Sequence, residues 1–253
     1  MGIGGSATND GGIGMLQALG FGLLDAEGKA VAYGASGLEQ LASITSDHVD
    51  PRLFECSFRI ACDVTNPLCG EQGASAVFGP QKGADADMVL KMDAWLGAYA
   101  ALAKKSFPKA DPEKAGTGAA GGLGFAFLTF TNAVLESGIK IVLEETKLSE
   151  YVKDADIVIT GEGRLESQTV MGKAPIGVAQ TAKQFGKPVV AFSGSVTPDA
   201  GVCNQHGIDA FFPILQSIVT LEEAMKTDIA YINMAKTSEQ AMRLFLAGRK
   251  SRS

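Results

Sequence analysis

Asp156-Ile157-Val158-Ile159-Thr160-Gly161-Glu162-Gly163 reads as a short β-branched apolar run ended by glycines. Such a run suits a strand buried in a parallel sheet. Working outward, Ala174 to about Phe185 predicts a helix stopped by Gly186. Pro188-Val189-Val190-Ala191-Phe192 predicts the next strand, broken by Ser193-Gly194-Ser195. A short helix is expected to end near His206-Gly207, and Ala210-Phe211-Phe212 to begin a third strand. A long amphipathic helix from Leu221 to about Leu246 is predicted to close the chain. Alternating strand and helix means βαβ units, and so an α/β fold with a parallel sheet. Ligands of such sheets bind beyond the carboxyl ends of strands, where Gly161–Arg164 and Ser193–Ser195 are expected.

Residues 1–150 are less regular. The spacing predicts a helix over Ile13–Leu19, a hairpin through Leu24–Lys29 and a strand within Ser57–Val64. A loop carrying Pro67, Gly70, Gly73, Gly79, Pro80 and Gly83 follows, then a helix over Ala86–Lys104. After Gly116–Gly122 a helix is predicted through Leu135. The acidic stretch near Glu144–Asp156 is read as the boundary between a domain of residues 1–150 and one of residues 151–253. There is no internal repeat and no low-complexity segment.

The chain has 253 residues, enough to bury a core without a disulfide or metal staple. Its net charge of −6 argues against non-specific nucleic-acid binding. The basic tail Arg249-Lys250-Ser251-Arg252 reads as a solvated end. The four cysteines, Cys56, Cys62, Cys69 and Cys203, form no CxxC pair, and His48 and His206 are the only imidazoles, so no zinc site is expected. No apolar run is long enough for a membrane span, and a cytoplasmic protein with reduced thiols is expected. The 31 glycines exceed the usual share and cluster, which marks loops with a task or tight α/β turns.

Gly2-Ile3-Gly4-Gly5-Ser6-Ala7-Thr8-Asn9-Asp10-Gly11-Gly12 is the densest cluster, followed at once by helix-like residues. A glycine turn opening a helix presents N–H groups to a phosphate. Only Met1-Gly2-Ile3 precedes it, where a strand is the usual lead-in, so the chain is expected to begin inside a site. Gly116-Thr117-Gly118-Ala119-Ala120-Gly121 spells the dinucleotide fingerprint, but Phe107–Pro112 before it is no strand. Close helix packing and a floor for a small substrate both stay open there. Gly172-Lys173 is followed by Ala174, so no Walker A motif exists. Asp63-Val64-Thr65-Asn66-Pro67 could orient a hydroxyl or a metal-bound water, or form an Asx-turn ahead of Pro67. Lys82, on the loop Phe78–Gly83, could balance an anion or be solvated. Glu162, Arg164 and Lys173 flank a strand end, as a site or as a surface ion pair.

In order and spacing these stretches resemble the type I glycerate kinase family. The resemblance rests on GIGGSATNDGGIGMLQALG (Gly2–Gly20), DPRL (Asp50–Leu53), ACDVTNPLCGEQGAS (Ala61–Ser75), FGPQKGA (Phe78–Ala84), GTGAAGGLG (Gly116–Gly124) and IVITGEGRLESQTVMGKAPIGVA (Ile157–Ala179). It implies a two-domain α/β protein: a flavodoxin-like parallel-sheet domain built from both chain ends, and a mixed α/β domain inserted between them. Residues 1–150 would be the inserted domain, and residues 151–253 the C-terminal part of the flavodoxin-like one. It further implies transfer of the ATP γ-phosphate, with Mg2+, to D-glycerate, giving 2-phosphoglycerate. ATP and the hydroxy acid would be the partners, with no nucleic acid and no membrane.

Two departures qualify the resemblance. An early Asp-Ser-Phe/Tyr-Lys motif and an Ala-Asp-Gly-Gly-Glu-Gly-Thr motif of the family are missing, which implies an incomplete sheet with an exposed edge. Glu166 stands where the family carries Asp. The alternatives are therefore a catalytically inactive fragment, or a kinase of another small hydroxy acid. On the kinase reading, Gly4, Gly5, Ser6, Thr8 and Asn9 would give donors to a phosphate or a carboxylate. Asn66, Gly118, Gly121, Gly161, Gly163 and Lys173 would complete the binding set. Asp63 or Asp10 would accept the hydroxyl proton, and Lys82, Arg164 and Lys173 would balance anionic charge. Asp10 and Glu162 are the magnesium candidates.

Overall fold

The structure, a computed structural model, describes residues 1–250. The chain divides into two compact units, Met1–Ile141 and a second beginning at Val142.

In the first unit the elements are α1 (Ile13–Ala18), β1 (Gly22–Leu24), α2 (Ala35–Glu39), β2 (Ser43–Thr45), β3 (Arg59–Ala61), α3 (Ala74–Phe78), α4 (Ala86–Ser106), α5 (Ala119–Phe130), β4 (Val134–Glu136) and α6 (Gly138–Glu145), which runs across the division. β1 pairs antiparallel with β2, and β3 pairs parallel with β4. Gly2 bridges to Ala61 in parallel, so the glycine-rich start does leave an extended pairing.

The longest helix of this unit, α4, is set by its ends and one face. Asp85 caps it by accepting the Met88 N–H at 2.8 Å, and Lys104 and Lys105 sit in its last turn, where cations suit the dipole. Met92, Leu96, Tyr99, Ala100 and Ala103 recur at helical spacing and are buried. Leu96, Tyr99, Ala100 and Ala103 pack with Leu16, Leu23, Leu68 and Phe125. Phe130 closes this core, with ring centroids 4.6 Å from Phe107, 5.2 Å from Phe21 and 6.2 Å from Tyr99. The Asp50–Leu53 motif is local scaffolding: Asp50 caps a 3-10 turn and pairs with Arg52, whose guanidinium holds the carboxyl down to about 2.

Three expectations change here. The loop from Pro67 to Gly83 contains α3 and a 3-10 turn over Pro80–Lys82. The strand expected within Ser57–Val64 is only three residues long. The helix expected through Leu135 stops at Phe130, where Thr131 Oγ1 donates to the Phe127 carbonyl at 2.6 Å. Leu135 then lies on β4, because tertiary pairing with Ile60 overrides helical propensity.

In the second unit α7 (Leu148–Val152), β5 (Val158–Leu165), α8 (Ala174–Gln184), β6 (Val189–Val196), β7 (Ala210–Pro213), α9 (Leu221–Ala224) and α10 (Thr227–Lys250) follow in turn. The sheet order is β5-β6-β7, all parallel, with Val158 opposite Val189 and Val190 opposite Ala210. α8 buries Ile176, Ala179 and Ala182 against Val189 and Ala191.

The glycines of Gly161–Gly163 and Gly194 do not break their strands. β5 runs through Gly161, Glu162 and Gly163 to Leu165, and β6 runs through Ser193, Gly194 and Ser195 to Val196. A Cβ at Gly161 would overlap the Phe192 carbonyl, and one at Gly194 would lie 2.6 Å from the Gly163 carbonyl. Glycine serves close strand approach here, not a turn. The short helix before Gly207 is a 3-10 segment, Ala200–His206. The long final helix is broken after Ala224: Lys226 N–H returns to the Glu223 carbonyl, and a new helix starts at Thr227.

Phe130→Ala would leave an aromatic-sized void in the first core and cost about 3–5 kcal/mol. Urea unfolding followed by the fluorescence of Trp95, the single tryptophan, reads the first unit, because Trp95 packs on that core. The Trp95 transition is expected to shift to lower urea.

Candidate functional site

A cleft of about 420 Å³ opens in the first unit. Its walls are Gly2–Ser6, the end of β3 with Cys62, Asp63 and Val64, the Phe78, Gln81 and Lys82 side, and Ala119 with Ala120. Beneath it Ile3, Ile60, Ala119 and Phe127 form a small apolar cluster.

The loop from Gly4 to Gly12 has two parts with different chemistry. Gly11 N–H donates to the Gly121 carbonyl at 2.8 Å, Gly12 N–H to Asp10 Oδ1 at 3.0 Å, and Ile13 N–H to the Asp10 carbonyl at 3.3 Å. The N–H groups expected to be free at the helix start are therefore committed, and α1 is only six residues long. The earlier part differs: among the described residues, the N–H groups of Gly4, Gly5 and Ser6 have no protein acceptor, and all three residues line the cleft. Gly5 takes φ +72, which a side chain resists.

Lys82 is half-buried. Its Nζ donates to Ser6 Oγ at 2.9 Å and to the Thr8 carbonyl at 2.6 Å. Burial lowers its pKa, and the Asp10 charge acts in the opposite sense. Asn9 is buried and anchors the loop: its Nδ2 donates to Ser75 Oγ at 2.8 Å and lies 3.7 Å from Met92 Sδ, while its Oδ1 has no partner.

Asp63 extends from the end of β3 and accepts the Gly138 N–H on Oδ1 at 2.9 Å. This long-range bond takes the place of a local Asx-turn. The strand end is held by Arg59, whose Nε lies 2.7 Å from Glu136 Oε1, with Lys140 Nζ at 2.6 Å from Glu136 Oε2. These two cations hold the Glu136 carboxyl down to about 2. Asn66 works in the same region as scaffold: its Nδ2 donates to the Gln72 carbonyl, and its own carbonyl accepts the Gly118 N–H.

The glycine cluster after Lys114 shows the close packing expected of it. A Cβ at Gly118 would overlap the Pro67 carbonyl, and one at Gly121 the Thr8 carbonyl, so these glycines serve packing. Ala119 and Ala120 form part of the cleft surface. Ala120 takes φ 52, a conformation alanine rarely adopts and one often stored at functional sites. Ala120, Phe78 and Gln81 fall within motifs quoted above, but nothing in the sequence singled them out as cleft residues.

The other expected residues lie in the second unit and form a cluster of their own. Lys173 Nζ lies 3.1 Å from Glu166 Oε1 and Arg164 Nε 3.6 Å from Glu166 Oε2. Glu166, rather than Glu162, is thus the carboxylate that gathers both cations. Glu162 instead accepts the hydroxyl of buried Thr169, which also receives the Glu166 N–H at 3.2 Å. Gly161 and Gly163 lie on β5 between these side chains. Nearby, Ser167 and Thr197 hydroxyls hold the Asp199 carboxyl down to about 2.

Among the described residues no three carboxylate, imidazole or thiolate groups gather to cage a metal ion. No helix among the described residues is long and apolar enough to cross a membrane.

Comparison with known proteins places this geometry. The model of the glycerate kinase family matches residues 1–246. The chain is 52% identical over 226 residues to a glycerate kinase of Haemophilus influenzae, covering 89% of this chain and 60% of that one. It is 51% identical over 238 residues to glycerate 2-kinase of Escherichia coli, covering 94% and 62%. A crystal structure from Salmonella typhimurium LT2, provisionally described as glycerate kinase 2, superposes with a TM-score of 0.84 at 48% identity, covering 98% of this chain and 64% of that one. The chain spans about three fifths of the length of the curated relatives it matches.

The Glu136 pairing predicts an acid-sensitive first unit. Its folded pKa of about 2 lies below the ordinary 4.5, so its contribution is complete above pH 4.5 and is lost as pH falls toward 2. Urea midpoints read by Trp95 should separate wild type from Glu136→Gln at neutral pH and converge near pH 2. A constant gap across that range would remove Glu136 from the linkage.

Proposed function

The chain belongs to the glycerate kinase family, and on that footing we propose that it transfers the γ-phosphate of ATP to the 2-hydroxyl of D-glycerate. The observation that supports the reading most is the cleft of the first unit. There an acid, Asp63, and a desolvated cation, Lys82, share one wall set with a loop of open N–H groups.

The chemistry asks for positioning and charge stabilisation more than for covalent catalysis. The glycerate hydroxyl oxygen attacks the γ-phosphorus, and the bond from that phosphorus to the β-phosphate bridging oxygen breaks. ADP leaves with the electron pair, and the hydroxyl proton passes to a carboxylate. Asp63 is the better candidate for that role: Gly138 N–H occupies Oδ1 and orients the group, leaving Oδ2 to face a hydroxyl. Asp10 is tied to the Gly12 N–H and acts chiefly on the shape of its loop. Arg164 and Lys173 would balance phosphate charge, with Glu166 holding both in place. Glu162 would offer an oxygen to a magnesium ion brought by the nucleotide, whose charge would neutralise phosphate. On the same reading the first unit is the inserted domain, the second belongs to the flavodoxin-like one, and the four free cysteines fit a cytoplasmic protein.

The test is turnover: ADP release with D-glycerate, compared with tartronate and with no acid. D-Glycerate-dependent release is expected, with phosphate on the 2-hydroxyl by NMR. Asp63→Asn should lower kcat by about 10²–10⁴-fold with a smaller change in KM, the range for a lost general base. Unchanged turnover would remove Asp63 from the chemistry, and no D-glycerate-dependent turnover by the wild type would overturn the reading.

A further inference from the structure

We propose that the first-unit cleft takes the hydroxy acid and not the nucleotide, with Lys82 as the group that selects a single carboxylate. The inference rests on the kinase reading above and assigns one of its two substrates to a site.

The argument begins with charge. Only Asp63 and Lys82 among the lining residues carry formal charge, and they cancel. Asp10 adds a carboxylate that acts electrostatically on both Lys82 and Tyr99. A polyphosphate entering this cleft would bring several negative charges to a surface with one cation and one carboxylate, and like charges at close range are costly. A three-carbon hydroxy acid brings one carboxylate and two hydroxyls, which matches one cation and one acceptor.

Donor arithmetic points the same way. An ammonium has three N–H bonds. Lys82 spends two of them, on Ser6 Oγ and on the Thr8 carbonyl. One remains, enough for a single-point contact with a carboxylate oxygen. The open N–H groups of Gly4, Gly5 and Ser6 supply the further donors a carboxylate needs. Asp63 lines the same cleft, its Oδ1 held by the Gly138 N–H. Volume agrees: about 420 Å³ is at the small end of ligand clefts, which run from roughly 300 to 1,000 Å³.

Cys62 makes the assignment testable on the unmodified protein. It lines the cleft beside Asp63, is half-buried, and its thiol is pushed up by burial, so it alkylates slowly at alkaline pH. Exposed Cys56 is the internal reference. Iodoacetamide labelling of Cys62, followed by peptide mass spectrometry, is run over one concentration range of D-glycerate or of the non-hydrolysable analogue AMPPNP. At least five-fold slowing by D-glycerate, exceeding any effect of AMPPNP, is expected, with Cys56 unchanged. Slowing by AMPPNP that equals or exceeds that by D-glycerate, or no slowing by either, overturns the proposal. Lys82→Met should abolish D-glycerate protection and Lys82→Arg should retain part of it. If Lys82→Met does not fold, the wild-type comparison decides alone. A chain that turns over D-glycerate with ATP yet shows protection by AMPPNP alone has lost this inference and kept its kinase function.

Discussion

The backbone of Thr8–Gly12 lies directly on the backbone of Gly121 and Gly122, and the first unit is arranged around that contact. No side chain intervenes: a Cβ at Gly121 would overlap the Thr8 carbonyl, and one at Gly122 would come within 2.8 Å of the Gly11 Cα. The Gly11 N–H to Gly121 carbonyl bond, at 2.8 Å, locks the register. Tyr99 closes the contact from α4, its hydroxyl 3.3 Å from the Gly11 carbonyl. Because this end of the loop is held so tightly, the other end, Gly4 to Ser6, is left lining the cleft with its N–H groups unspent. Rigidity on one side creates binding capacity on the other.

The charged groups divide along a similar line. Arg59, Glu136 and Lys140 satisfy one another at the end of the small parallel pair and hold the backbone from which Asp63 projects. Lys82 has no carboxylate partner within a salt bridge among the described residues. It is bonded to a hydroxyl and a carbonyl instead. A desolvated cation whose partners are neutral keeps its attraction for an anion, whereas one already paired has spent it. In the second unit Glu166 pairs with both Arg164 and Lys173, and Glu162 lies beside them through Thr169.

Glycine content was visible in the chain, but its uses were not equally visible. Three roles look alike in one dimension: the left-handed turn at Gly5, the side-chain-free packing of Gly118 and Gly121, and the close strand approach at Gly161 and Gly194. Reading every cluster as a turn places Gly161–Gly163 beyond a strand that in fact runs on to Leu165. What separates the roles is the neighbour each glycine meets, and for Gly161 that neighbour is Phe192 on another strand.

Local pattern was enough for the α/β alternation after Asp156, for the helix α4 and for the chain reversal through Leu24–Lys29, because each is settled by bonds and periodicities within a few residues. The order and spacing of the motifs were enough for the family. Tertiary structure alone decided that Leu135 is a strand residue, that Ala120 sits left-handed in the cleft wall, that Asp63 is oriented by Gly138, and that Glu166 rather than Glu162 gathers the cations. Most of these depend on partners distant in the chain, and Ala120 on a backbone strain that only the surrounding packing can hold. A linear pattern records what a residue is able to do, and only folding determines which partner it meets.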